Sequence, residues 1–288
     1  MSGLGFVPKF SPRNAVLREG RGMAIDSDDT TSTGYAHVLL TRQGPVATVT
    51  MNRPDKRNAL SRDHMLELID AFTSLGADRE CRVIVLRGAG PAFCAGHDLS
   101  EMIGRDRAFY DDLFDVCSRL MLLIQSIPQP VIAAVHALAT AAGCQLAATC
   151  DLVVATPRAR FATPGVKIGL FCSTPMVALS RAVGQKVALR MLLTGEPIDA
   201  EQAHAAGLVT EVTDDLDAAV AALADRIAQA SPLVVGIGKE AFYHQAAMST
   251  PDAYTYAREV MADNATRADA QEGMDAFVSK RTPTWTGR

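Results

Sequence analysis

Residues 130–156 read PVIAAVHALATAAGCQLAATCDLVVAT. An unbroken aliphatic run after Pro130 has the pattern of a short strand buried on both faces. Small residues then dominate 137–143, as a tight turn into a helix requires. Gln145 lies one turn into that helix, and Asp151 closes it just before a second apolar strand, DLVVAT. Strand, turn, helix and strand in this order, with no polar face on either strand, predict an α/β fold with short buried strands.

The same grammar extends outward. RVIVLRG, residues 82–88, is another buried strand, and YAHVLLTRQGPVATVTMN, residues 35–52, reads as a hairpin about Gln43-Gly44. Ser61 is placed to cap a helix whose apolar stripe is Met65, Leu68, Ile69, Phe72 and Leu75. A long helix is predicted over 107–127, stopped by Pro128, and RFATPG reads as a short edge-like strand. Beyond it come helices only, over 175–193, 199–206, 215–230, 232–247, 251–263 and 267–280. The expected organisation is a core over 35–230 and a helical, oligomer-forming region over 231–288. A flexible extension over 1–34 precedes them.

Composition excludes several classes. The 288 residues are 48% hydrophobic and 21% charged with a net charge of −4, which gives no reason to expect nucleic acid or an anionic membrane as partner. The six cysteines, at 81, 94, 117, 144, 150 and 172, form no C-x-x-C pair and sit in apolar surroundings, so they read as free buried thiols. The six histidines lack ligand spacing, and no metal site is expected. Residues 120–150 carry no formal charge, but Pro128 and Pro130 cut the run, so no membrane span is expected. Residues 1–24 hold four basic residues against one acid. Pro8, Pro12 and Gly20 interrupt any amphipathic transit-type helix there, which makes the expected location cytoplasmic. Nucleotide-binding, P-loop, zincin and nucleophile-elbow motifs are all missing.

Two places share one design. A strand ending at residue 88 leads through small residues to Gly96-His97-Asp98, and the strand 131–135 leads through 137–141 to Ala142-Gly143. Each starts a helix whose first N–H groups have no partner within it. Brought together, one donor from each would form an oxyanion hole.

PAFCAGHDL, PVIAAVHALATAAGCQLAATCDLVVAT, FATPGVKIGL, LTGEPIDAEQAHAAGLV and EGMDAFVSKR follow one another with characteristic gaps. Together they resemble the enoyl-CoA hydratase/isomerase, or crotonase, family, over nearly the whole chain from about residue 36. The resemblance implies a spiral of ββα turns with a helical C-terminal part, assembled as a homotrimer or homohexamer. It implies an acyl-CoA thioester as substrate, with no resident cofactor, its carbonyl held by the backbone N–H groups of His97 and Ala142. Ala95, Gly96 and Gly143 belong to the same two turns. The loop NRPDKRNAL implies a CoA entrance with Lys56 and Ala59 near the nucleotide. Arg53, Lys56 and Arg57 either neutralise its phosphates or form a solvated basic turn. Phe277 and Lys280 match tail positions that touch CoA, sometimes in a neighbouring subunit, and an amphipathic terminal helix is the competing reading.

The chain departs from the family at two positions. Hydratases of this family flank the enoyl group with two glutamates; here those places hold Gln145 and Gly165. An amide does not exchange protons near neutrality, and glycine has no side chain. General acid–base help is worth roughly 10²–10⁴ in rate, so weak or absent crotonyl-CoA hydration is expected. Gln145 either orients a water or acyl group or is an ordinary helical residue. His97 is the side chain at the turn that titrates near neutrality and either transfers protons or serves through its backbone alone; Cys144, Cys172 and Ser173 have no evident base, Asp98 reads as a helix cap, and His136 as a satisfied core residue. A non-catalytic acyl-CoA binder, or a decarboxylase or thioester hydrolase, stands beside the hydratase/isomerase reading. The double change Gln145→Glu, Gly165→Glu is expected to restore hydration if only the proton carriers are missing.

Overall fold

A computed structural model describes residues 34–288; the expected extension over 1–34 lies almost wholly outside them. Antiparallel β1 (Val38–Gln43) and β2 (Val46–Met51) form the predicted hairpin. Then come α1 (Arg62–Ala77), β3 (Val83–Gly88), β4 (Ala92–Cys94), α2 (Leu99–Met102), α3 (Arg107–Ser126), β5 (Val131–Val135), β6 (Leu138–Thr140) and α4 (Ala142–Thr149). β7 (Leu152–Ala155) and β8 (Arg160–Ala162) lead through a 3-10 turn, Pro164–Ile168, to α5 (Ser173–Ala182) and α6 (Gln185–Thr194). The chain continues with β9 (Ile198–Asp199), α7 (Ala200–Ala205), β10 (Glu211–Val212), α8 (Leu216–Ala228), α9 (Pro232–Gln245), α10 (Thr250–Ala265) and α11 (Ala268–Val278).

Six strands form one sheet in the order β1-β2-β3-β5-β7-β10, parallel from β2 onward. Its central strands alternate between two cores. Ile84 and Leu86 of β3 face the large core with α1 and α3, while Val83 and Val85 face α8 through Val220 and Ala224. With both faces covered, apolar side chains are buried on either side of the sheet, which is why these strands read as nearly unbroken aliphatic runs. The predicted Ser61 cap is present, its hydroxyl accepting from the His64 amide. All six cysteines are free and buried.

Two expectations need correction. The helix read over 175–193 is two helices, because Val183 is extended and Gly184 caps a fresh start at Gln185. The segments read as loop and turn at 92–94 and 138–140 are strands of a second sheet, ordered β4-β6-β8-β9. Three strands of the main sheet, β3, β5 and β7, are thus each followed by a three-residue strand of the small sheet, β4, β6 and β8, before the next helix. This repeated ββα unit carries the two small-residue turns and sets them side by side. α9 is fastened to the core by Lys239, which donates to the carbonyls of Ile124 and Gln129 (2.8 Å each) and to Asp151 (2.7 Å). Burial lowers the Lys239 pKa against the pull of Asp151. Among the described residues no single helix is long and apolar enough to cross a membrane.

Candidate active site

β4 and β6 are parallel neighbours, so the turns that leave them are neighbours too. At the first turn Leu60 pairs in parallel with His97 by donating to the Gly96 carbonyl (2.7 Å) and accepting from the Asp98 amide (3.1 Å). In such a pair the amide of the residue between, His97, points the other way. At the second turn Ala142 is the first residue of α4, so its amide has no partner within the helix. Gly96 adopts φ +91°, and a side chain there would meet Ala141 Cβ at 2.8 Å, the Thr140 oxygen at 3.0 Å and the Ala142 nitrogen at 3.4 Å. That contact shows how closely the two turns abut.

Ala141 turns the chain into α4 at φ 51°, ψ −120°, held by its amide bond to the Ala162 carbonyl at 2.9 Å. A non-glycine residue in this region stores roughly 1–3 kcal/mol.

A cavity of about 400 Å³ opens at these turns. Ala95, His97, Ala142 and Gly165 line it, with apolar walls from Leu99, Met102 and Phe114. Among the described residues, none that lines it carries a carboxylate. The His97 ring stands edge-on to Phe114 at 5.6 Å, and neither ring nitrogen has a hydrogen-bond partner. Burial pulls its pKa down to about 4; the Leu60 carbonyl acts weakly the other way without reaching hydrogen-bond geometry. The ring is therefore neutral at physiological pH and a poor base. Cys172, also on the wall, accepts from the Gly165 amide at 3.3 Å and is pushed up by burial, so it stays a thiol. Two amides at adjoining turns, on a mostly apolar wall whose charged side chain is the cationic Lys167, suit one carbonyl oxygen gaining negative charge.

The remaining candidates divide. Gln145 is 4% exposed and does not line the cavity; its carbonyl oxygen faces the Cys117 thiol at 3.9 Å. Gly143 does not line it either: a side chain there would strike the Cys94 backbone, so this glycine lets α4 sit on β4. Gly165 lines the cavity, but its missing side chain has no room, since the Leu170 carbonyl oxygen and Cys172 Sγ occupy the place. Lys56 and Arg57 are exposed, whereas Arg53 is committed to Asp98 (3.1 Å) and the Ala59 carbonyl (2.7 Å) and is not available to phosphates. Ala59 is buried. Asp98 caps α2 as expected; burial raises its carboxyl, but bonds from Ser100 and Arg53 outweigh this and hold it below the usual range. His136 is satisfied by the Gly90 carbonyl at 2.8 Å but is partly exposed rather than core. Phe277 and Lys280 are exposed and lie outside this chain's own cavity.

Asn58 carries a role that the sequence reading missed. Its side chain donates to the carbonyls of Ala89, Ala92 and Phe93 and accepts from the Arg53 amide, locking the basic loop onto β4. The one signal in the sequence is an Asn within a turn, a residue that tolerates the left-handed backbone it adopts here at φ 55°.

A ββα spiral of this kind with a helical C-terminal part is the crotonase fold, and solved enoyl-CoA hydratases superpose on it. One from Mycobacterium smegmatis matches with a TM-score of 0.85 at 47% identity, covering 86% of this chain and 98% of that one. Residues 41–288 match the enoyl-CoA hydratase/isomerase family model, and the chain belongs to that family. It is similar to enoyl-CoA hydratase domain-containing protein 3. The Xenopus laevis protein is 46% identical over 253 residues, 86% of this chain and 85% of the relative. The human crystal structure has a TM-score of 0.85 at 42% identity, over 86% of this chain and all of that one. The frog protein and its rat, mouse, zebrafish and human counterparts are each named mitochondrial, which overturns the cytoplasmic expectation. The basic bias of residues 1–24 is the sequence feature that bears on this, and those residues lie outside the described ones.

Proposed function

We infer that this chain binds an acyl-CoA thioester with its carbonyl oxygen at the His97 and Ala142 amides, and that it hydrates enoyl thioesters feebly. The observation that carries the reading is the pair of outward amides on adjoining turns, over a cavity with no carboxylate. The amides stabilise an oxyanion, a contribution on the order of 10²–10³ in rate. The proton carriers of a hydratase are absent: Gln145 is turned toward Cys117, Gly165 has no room for a side chain, and His97 is a weak base. A reaction that enters the enolate or tetrahedral state without removing an α-proton is the second reading. Loss of carbon dioxide or attack of water on the thioester would use the amides alone, and the carboxylate-free wall favours either over hydration.

The test is turnover and calorimetry on one preparation. Butyryl-CoA is expected to bind, while crotonyl-CoA turns over at least roughly a hundredfold more slowly than with a two-glutamate hydratase. Hydration at the full rate refutes the feeble-hydratase reading, and absence of butyryl-CoA binding refutes the site. A panel of malonyl-type and saturated thioesters decides between decarboxylation and hydrolysis as the second reading.

A further inference from the structure

The cavity beside His97 and Ala142 continues beyond its own walls. Leu99, Met102, Phe114, Ile168 and Leu170 line it and also line a second cavity of about 560 Å³. The second space adds only Ile103 and Tyr110. The Tyr110 hydroxyl is engaged by the Met102 carbonyl at 2.6 Å, so that residue contributes an aromatic surface and no free polar group. Among the described residues, no charged side chain lines the second cavity. Ile103, meanwhile, is 81% exposed, and Ile168 and Leu170 are also open to water.

Apolar surface held open in this way is stabilised when something apolar covers it. A peptide is a poor occupant, because its backbone N–H and C=O groups would find no partners along this lining. A hydrocarbon chain has none to satisfy. The five shared side chains make the two spaces one track that begins at the amide pair. We propose that the second cavity takes the distal methylenes of an unbranched, uncharged acyl chain whose thioester end sits at the His97 and Ala142 amides. The substrate class is then medium- to long-chain acyl-CoA, rather than short-chain or ω-carboxylated acyl-CoA. This rests on the acyl-CoA reading above.

The chain-length dependence of binding tests it. Calorimetry on the full chain uses butyryl-, octanoyl- and dodecanoyl-CoA below their micelle-forming concentrations, with the ω-carboxylated twelve-carbon analogue alongside. Each methylene taken from water contributes up to about fourfold, so octanoyl-CoA is expected to bind at least about tenfold more tightly than butyryl-CoA. Dodecanoyl-CoA binds at least as tightly as octanoyl-CoA. The ω-carboxylated analogue loses the gain, because its charge has no partner in the second cavity. Ile103→Asp, at an exposed position that folding tolerates, narrows the ratio of dodecanoyl to butyryl affinity. A flat series, an equal affinity for the ω-carboxylated chain, or an unchanged ratio in Ile103→Asp overturns the long-chain assignment while leaving the thioester site standing. Failure of every acyl-CoA to bind overturns both.

Discussion

In the proposed site His97 serves through its backbone, while its side chain carries a cost. Both ring nitrogens are unpaired, and burial holds the ring's pKa near 4. His64, buried in α1 with Nε2 unpaired, is pulled down by its burial to about the same value. In the unfolded chain both imidazoles take up a proton near pH 6.5, while in the folded chain they resist until about 4. Between those values the unfolded state binds more protons, so stability falls as pH drops and is fully present above 6.5. Urea unfolding is expected to show a loss of roughly 2 kcal/mol per ring between pH 6.5 and 5. In His97→Leu about half of that slope should vanish. A midpoint that does not move over this range, or a slope unchanged in the variant, would show that the rings are not buried neutral.

The 165–172 segment decides what can be rebuilt at the scale of an element. On sequence alone the loss of two glutamates reads as loss of two side chains from an intact site. The structure places the Leu170 carbonyl and the Cys172 thiol where a side chain on residue 165 would begin. The backbone bond from the Leu170 amide to the Gly165 carbonyl, 3.0 Å, holds that closure. The double change Gln145→Glu, Gly165→Glu is therefore not expected to create hydratase activity. Gly165→Glu alone should destabilise the fold by about 1–3 kcal/mol through forced displacement of packed atoms. Crotonyl-CoA turnover and a denaturant midpoint on both variants check this, and a stable, active double variant would show the segment to be easily remodelled. Legibility follows the same physics. Val83–Gly88, Val131–Val135 and Leu152–Ala155 were readable because burial on two faces leaves an aliphatic signature. β8 was read as a short edge-like strand but lies between β6 and β9, and β4 and β6, three residues each, are too short for any period; the pairing of β4, β6 and β8 depends on contacts between residues more than 20 apart. The motifs at Gly96-His97 and Ala141-Ala142 were visible; the sheet that joins them was not. Nor was Gly143's contact with Cys94, since a close approach leaves only a glycine in the sequence.

The C-terminal helices raise the question at the scale of the whole molecule. α10 buries none of its residues, and it exposes Tyr254 at 76% and Met261 at 71%. α11 exposes Phe277 at 85%, with Val278 beside it. A helix of this length gains little stability from its own backbone in water and relies on packing of an apolar face. Within one chain that packing is thin: α10 rests chiefly on α9, and α11 on both. A second copy of the same chain is the occupant consistent with the expected homotrimer or homohexamer. Phe277 and Lys280, absent from the cavity of their own chain, would then lie where a neighbour's CoA enters. Light scattering on the full chain should return three or six times the mass of one chain. Phe277→Asp places a charge on this exposed face; if the face packs against a second copy, it should shift the particle toward single chains and, in the same samples, weaken butyryl-CoA binding. The two readouts separate assembly from ligand contact. A variant that dissociates yet binds CoA normally would leave the trimer intact as a conclusion and remove Phe277 from the site. A wild-type chain that is monomeric with full affinity would remove the neighbour altogether, and the exposed face of α10 and α11 would need a different cover.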